Sequence, residues 1–243
     1  MKKLIIVISL AMVYLLDIHA GNVQEIFLKA NAAYIAGNID DALKQYQSIE
    51  PKGHAVLYNM GNCYYRLGDY PQAVLQWRRA QKDASLRDWA TLEAYITSAY
   101  EALGTSSKKS IIDTIHTWMS RINSIFSIML LQILFLVCWL VLCVLLPRLI
   151  RTSGYVSLVL LSIMTLLMGL CLFVKYRDQK YPLGLVSKNS ISVYAGPGQD
   201  YALVTQATML ELVRVYQRHD GWLKVIIDKT GYGWIQEADL AMI

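Results

Sequence analysis

The sequence predicts a multidomain membrane protein, in which an all-α module of helical hairpins, two transmembrane helices and a small all-β barrel follow one another. Of its 243 residues, 55% are hydrophobic and 17% are charged, whereas about a quarter are charged in a typical soluble domain. The apolar residues are concentrated in three runs, which are Leu4–Leu16, Ile125–Leu146 and Tyr155–Val174. The hydrophobic period is helical before the second run and changes to two after Pro182.

The net charge of +5 is unevenly spread along the chain. Residues 111–181 carry six lysines and arginines against two acidic residues, so the excess lies beside the apolar runs, where it can meet anionic headgroups. A nucleic-acid-binding protein would concentrate its basic residues on a soluble face. We therefore expect the lipid bilayer as a partner and no nucleic acid.

Residues 1–20 have the three-part layout of a secretory signal: Lys2 and Lys3, a 13-residue apolar run, and a polar stretch that ends in Ala20. Thirteen helical residues cover about 20 Å, less than the hydrocarbon core of a bilayer. This length favours a cleaved signal peptide. The alternative, an uncleaved anchor, leaves the following residues on the same side of the membrane.

Residues 21–104 contain an internal repeat. The segments "AGNIDDALKQY" and "LGDYPQAVLQW" align at an offset of 31 residues, so that Gly37 coincides with Gly68 and Tyr46 with Trp77. Repeated small and aromatic residues at helical spacing indicate stacked helical hairpins.

Here the chain resembles the tetratricopeptide repeat. The second copy carries the residues of that pattern, which are Gly61, Tyr64, Gly68, Tyr70, Ala73, Trp77 and Ala80. A third helix from Asp88 to Leu103 looks like the first half of a further repeat and is expected to cap the module. The resemblance implies a module that binds peptides or partner helices along its concave face.

On that concave face we place nine residues: Phe27, Asn31, Tyr34, Tyr58, Asn59, Asn62, Tyr65, Thr91 and Tyr95. Some members of the family hold a carboxylate with asparagines at the places of Asn31 and Asn59, but the accompanying basic residues are missing here. The resemblance therefore implies an aromatic-lined groove. For each aromatic residue the alternative is core packing between helices, which is the role expected of Tyr64 and Trp77.

Residues 105–124 are predicted to form a linker with an amphipathic helix. Isoleucines, Trp118 and Met119 fall on one helical stripe, as in a helix that lies in the membrane interface. The alternative is a helical extension that packs on the soluble module.

Residues 125–146 and 155–174 are each long enough to cross a bilayer as a helix. Pro147 is expected to end the first span, and residues 147–154 to form a short cytoplasmic loop. The two flanking modules then share a compartment, which the N-terminal signal makes extracytoplasmic. The positive-inside rule gives mixed support, because basic residues follow the second span as well.

After a linker at 175–183, residues 184–243 alternate between apolar and polar side chains, which predicts four to six short antiparallel strands in a small barrel. The order of a Gly-Pro-Gly turn, "GW" and "GYGWIQ" resembles the bacterial SH3-like domain. That resemblance implies a ligand-binding barrel, with Tyr194 and Tyr201 in an exposed groove. Trp222 and Trp234 either stack on a ligand or plug the ends of the barrel.

The sequence carries no motif that predicts catalysis, such as a nucleophile elbow or a phosphate-binding glycine loop. Three of its four cysteines lie in apolar runs and its four histidines are scattered, so neither a disulfide framework nor metal-ligand spacing is present. We expect no enzyme, no catalytic residues, no metal site and no cofactor.

The order of these parts resembles the BatE-type proteins of the bacterial aerotolerance operon. The resemblance implies a scaffold in the inner membrane that assembles an envelope complex with von Willebrand-type domain proteins. Two alternatives stay open. The barrel could tether the protein to peptidoglycan, or both modules could be cytoplasmic parts of a signalling subunit.

Overall fold

The computed structural model describes residues 22–104, 127–151, 155–227 and 231–243. The predicted signal peptide (1–20), the amphipathic segment (105–124) and residues 152–154 of the predicted loop lie outside the described residues. The chain divides into two compact units. One comprises Met1–Asp83 and Ala90–Ser106, and the other comprises Ala84–Trp89 and Ser107–Ile243. The described residues form seven α-helices and a seven-stranded sheet.

The first unit confirms the predicted helical hairpins. Its helices are α1 (residues 22–35), α2 (Ile39–Gln47), α3 (His54–Arg66), α4 (Tyr70–Gln81) and most of α5 (Leu86–Ala102). Gly37 separates α1 from α2 with φ 85°, and Gly68 separates α3 from α4 with φ 79°. Glycine adopts this left-handed conformation without steric cost, so both hairpins turn at the same place in the repeat.

Close contact between α3 and α4 depends on a glycine. Trp77 of α4 is only 2% exposed. A Cβ atom added at Gly61 of α3 would overlap several atoms of the Trp77 indole ring. In the first hairpin the equivalent residues, Ala30 and Tyr46, are fully buried in one cluster. The first hairpin thus pairs alanine with tyrosine where the second pairs glycine with the larger tryptophan, so each interface is filled to a similar extent.

We predict that Gly61→Ala destabilises the helical module by about 1–3 kcal/mol, since the enclosed indole has no room to move away. The free energy of unfolding of the full chain in detergent, followed by circular dichroism, measures this change. Ala55→Met, which adds atoms to an exposed position of α3, should change the same quantity by less than about 0.5 kcal/mol.

The double variant Gly61→Ala with Trp77→Tyr reproduces the residue pair of the first hairpin. Its loss in free energy of unfolding should be smaller than the sum of the losses of the two single variants, because the smaller ring leaves space for the methyl group. Strict additivity would show that the two residues do not compete for the same space.

The second unit contains two helices that are long and apolar enough to cross a membrane, α6 (Ile128–Arg151) and α7 (Tyr155–Lys180). They pack along a narrow seam in which Leu131 and Thr165 are buried and Phe135 lies beside Gly169. Most of their remaining apolar surface is exposed. This distribution suits helices surrounded by lipid.

Both apolar helices continue past the C-terminal bounds predicted from hydrophobicity. The apolar span of the first helix ends at Pro147, as predicted, although the helical backbone continues to Arg151. The second helix continues to Lys180, so most of the linker predicted at 175–183 is helical. Arg177 and Lys180 favour this extension, since basic side chains stabilise a helix C-terminus.

The C-terminal sheet has seven antiparallel strands in the order β3-β2-β6-β5-β4-β1-β7. They are β1 (Leu183–Val186), β2 (Ser190–Tyr194), β3 (Leu203–Thr208), β4 (Leu212–His219), β5 (Trp222–Ile227), β6 (Gly231–Gln236) and β7 (Leu240–Met242), with a 3₁₀ turn at Glu237–Asp239.

Ala207 of β3 and Leu240 of β7 belong to one buried cluster although their strands stand at opposite ends of the sheet. The sheet therefore curls around a single core, as predicted for a small barrel. The strand number exceeds the predicted four to six. β1 and β7 have only four and three residues, too few for alternation to be read from the sequence.

Candidate functional sites

The first candidate site is a run of neighbouring aromatic rings on α3, α4 and α5, here called the aromatic ladder. Consecutive ring centroids are 5.3–6.4 Å apart, within the range of favourable aromatic pairs. In spatial order the ladder consists of His54, Tyr58, Tyr95, Trp77, Tyr65 and Tyr70.

The ladder brings together three of the predicted groove residues, Tyr58, Tyr65 and Tyr95. Tyr95 is 38% exposed and the other two are half-buried. The buried Trp77 contacts both Tyr65 and Tyr95. His54 and Tyr70 were not predicted as groove residues. The four-residue spacing of His54 and Tyr58 on one helix face was the available signal for His54.

The centre of the ladder is uncharged. The hydroxyl of Tyr58 donates a long hydrogen bond to that of Tyr95, with 3.4 Å between the oxygens. Burial, with a smaller contribution from the Tyr95 hydroxyl, raises the pKa of Tyr58 to about 12. The phenol is therefore protonated at physiological pH, and the surface offers rings and hydroxyl groups to a partner.

One cation stands near the predicted groove. The guanidinium carbon of Arg66 lies 4.4 Å above the ring of Tyr34, a cation–π contact. Burial raises the pKa of Tyr34, and the nearby Arg66 partly opposes this shift. Sequence reasoning missed Arg66, because only the folded chain brings the last turn of α3 against α1.

The predicted groove asparagines take part in a repeated internal hydrogen bond. The hydroxyl of Tyr46 donates to Oδ1 of Asn31 at 2.6 Å, and the indole N–H of Trp77 donates to Oδ1 of Asn62 at 3.2 Å. The two bonds are related by the 31-residue offset. Asn59 donates to Asn31 at 3.1 Å and to Tyr46 at 3.2 Å.

These oxygens satisfy buried aromatic donors, which is a structural role the sequence did not reveal. Phe27 packs 5.9 Å from the ring of Tyr46, whereas Thr91 is exposed on α5. Ligand binding by the asparagines, Phe27 and Thr91 stays a prediction. The ladder tyrosines Tyr58, Tyr65 and Tyr95 keep partly exposed rings that contact one another or Trp77.

The second candidate site is the outward side of β2, β6, β5 and β4, here called the barrel face. Along β5 the inward residues are buried, while Trp222, Lys224 and Ile226 point outward and are partly exposed. Strand register sets Tyr194, Trp234 and Lys224 in one row. The aromatic residues of the face are Tyr194, Tyr216, Trp222, Tyr232 and Trp234.

A pocket of about 240 Å³ lies at the margin of the barrel face. Tyr194 and Trp222 form its aromatic corner, with ring centroids 5.7 Å apart and an interplanar angle of 87°. The other lining residues are mostly polar, namely Lys188, Ser190, Ile191, Ser192, Gln199, Gln236 and Asp239. The pocket thus offers an aromatic corner within a mostly polar, hydrogen-bonding lining.

Three of the four predicted barrel residues lie on this face. Tyr194 and Trp222 line the pocket, and Trp234 lies outward between Lys224 and His219. Neither tryptophan belongs to the buried core cluster. Tyr201 covers Gly196 in the turn after β2 and is exposed, outside the residues that line the pocket.

Comparison with known families agrees with this architecture. The family model of the tetratricopeptide repeat matches residues 54–84, which contain α3 and α4. A second family model, described as the bacterial dipeptidyl-peptidase Sh3 domain, matches residues 193–240 in the barrel. No curated protein matches the chain. The chain thus combines a tetratricopeptide repeat with a bacterial SH3-like domain, two modules that suggest binding of protein partners.

Proposed function

We propose that this protein is a non-enzymatic, membrane-anchored scaffold that binds protein partners outside the cytoplasm. The aromatic ladder carries this proposal. Its tyrosines Tyr58, Tyr65 and Tyr95 leave ring surface uncovered on the helices that line the concave side of such repeats. Tyrosine provides large contact area with little loss of conformational entropy, which makes it common at energetically important interface positions.

The membrane anchor is α6 and α7, both of which we infer to span the bilayer as a hairpin. Tethering the two modules to a membrane would raise the concentration of partner segments near the ladder and so strengthen weak contacts. The order of modules supports a BatE-type role in the bacterial inner membrane. In that role the partners are von Willebrand-type domain proteins of an aerotolerance complex.

Photo-cross-linking from the ladder tests the proposed function. With p-benzoylphenylalanine in place of Tyr95, the full chain in its native membrane should give a discrete adduct with a second protein, identifiable by mass spectrometry. Substitution at Lys44, which is exposed on α2, should not give that adduct. Tyr58→Ala should reduce the adduct roughly tenfold, because a central aromatic contact is lost.

Tyr201→Ala, which removes an exposed tyrosine from the barrel, is the matched control and should leave the adduct unchanged. Equal adducts from positions 95 and 44, or none from either, would contradict partner binding by the ladder.

The location outside the cytoplasm predicts the behaviour of reporters fused after residue 243. Alkaline phosphatase should be active there, and green fluorescent protein exported by the same route should be dark. An inactive phosphatase together with bright fluorescence would place the barrel in the cytoplasm. That outcome would favour a signalling subunit.

A second candidate function is a tether to peptidoglycan, favoured by the barrel face. Sugar rings stack on flat aromatic side chains, and short peptides can hydrogen-bond to the serines and glutamines of the pocket. In this case the barrel would contact the cell wall, and the helical module would act as a spacer.

If the barrel is a wall tether, the detergent-solubilised full chain should sediment with purified cell-wall sacculi. Trp222→Ala should then lower the bound fraction severalfold, since it removes the aromatic corner of the pocket. Leu203→Ala, an exposed change on β3, serves as the control. Failure of the unaltered chain to sediment would exclude the tether and leave the scaffold function.

A further inference from the structure

A series of aromatic and cationic contacts continues from the end of α7 onto the barrel. Lys180 lies 5.9 Å from the ring of Tyr176 and 5.3 Å from that of Tyr181. Tyr181 stacks on Tyr216 of β4 at 4.5 Å, and Tyr216 meets Tyr232 of β6 edge-on at 5.7 Å. We call the four tyrosines the tyrosine track.

The barrel is held against the last turn of α7. Arg214 of β4 forms an ion pair with Asp178 at 2.9 Å and donates a hydrogen bond to the carbonyl of Tyr181 at 2.9 Å. The side chain of Arg214 is only 13% exposed, so solvent screens this pair less than a surface pair. The backbone N–H of Val215 donates to the carbonyl of Pro182 at 3.0 Å.

These contacts fix the depth of the tyrosine track relative to the helix. Asp178 precedes Lys180 by two residues, which is about 3 Å along a helix axis. Arg214 therefore reaches back beside the helix end, and its two contacts hold β4 close to that end. If α7 spans the bilayer, Tyr176 and Lys180 lie among the headgroups, where tyrosine and lysine accumulate. Tyr181, which follows Lys180 directly, and Tyr216, which stacks on Tyr181, then lie next to the headgroups.

The charges beside the track favour an anionic surface. Lys224 lies 5.2 Å from the ring of Tyr232, and neither Lys224 nor Lys180 forms an ion pair within the described residues. Among the described carboxylates, Asp178 pairs with Arg214, and Glu237 pairs with Arg218 at 2.7 Å. Two cations therefore remain available to lipid phosphates.

We propose that the tyrosine track and Lys224 form a docking surface for the anionic phospholipid headgroups of the bilayer that α7 crosses. This inference rests on the proposed function only in requiring that α6 and α7 span the membrane. It divides the barrel face into two parts. Tyr216 and Tyr232 contact lipid, while Trp222 and the pocket stay available to another ligand.

Headgroup quenching tests this docking surface. The full chain is placed in nanodiscs, with a charged maleimide dye on Tyr232→Cys or on the control Leu203→Cys. The two positions are similarly exposed, 58% and 55%. A lipid with a nitroxide on its headgroup should quench the dye at position 232 at least twofold more than at position 203. The unaltered chain, whose cysteines are buried or in α6 and α7, measures background labelling.

Raising the share of phosphatidylglycerol should increase quenching at position 232, and Lys224→Glu should reverse the increase. A dye at Lys224→Cys provides a second reporter that leaves the tyrosines intact. Equal quenching at positions 232 and 203, or no response to the anionic lipid, would overturn the proposal.

Extraction separates the possible failures. A chain that washes out of membranes at alkaline pH would disprove the spans, and with them both the anchor and the docking surface. A chain that stays in the membrane and cross-links from Tyr95, but shows no selective quenching, would disprove lipid docking alone.

Discussion

The helical module depends on the contact between Trp77 and Gly61. The indole fills the space between α3 and α4 because no Cβ stands in its way, and its N–H is satisfied by Asn62. The same ring contacts Tyr65 and Tyr95. The residue that sets the helix spacing therefore also aligns the exposed tyrosines. Trp77 thus contributes both to helix packing and to the candidate site. A change in the distance between α3 and α4 would also move the ladder rings apart.

The hairpins could be predicted because the repeat places glycines at the turns and small and aromatic residues at the helix interfaces with a regular spacing along the chain. Three tyrosines of the ladder, Tyr58, Tyr65 and Tyr95, were predicted as single groove residues for the same reason. Their order in space, and the contribution of Arg66, depend on contacts between helices distant in sequence. The role of Asn31 and Asn62 was missed because periodicity assigns a residue to a helix face. It does not tell whether the side chain bonds to a ligand or to the neighbouring helix.

Hydrophobicity located both apolar helices but not their C-terminal ends, since the helical backbone continues after the apolar residues stop. In the barrel, alternation identified the longer strands and correctly set Trp222 and Trp234 in regular strands. The pocket could not be predicted, because it joins Lys188, Tyr194 and Trp222 from three parts of the chain. Only the strand order brings these parts together.

The short passage from α7 to β1 has a mechanical consequence. Two residues, Tyr181 and Pro182, separate the helix from the first strand, and the Arg214–Asp178 pair fixes the barrel to the helix beside them. A flexible linker would absorb a pulling force through its own extension. Here a load on the barrel passes directly into α7 and tends to tilt that helix against α6.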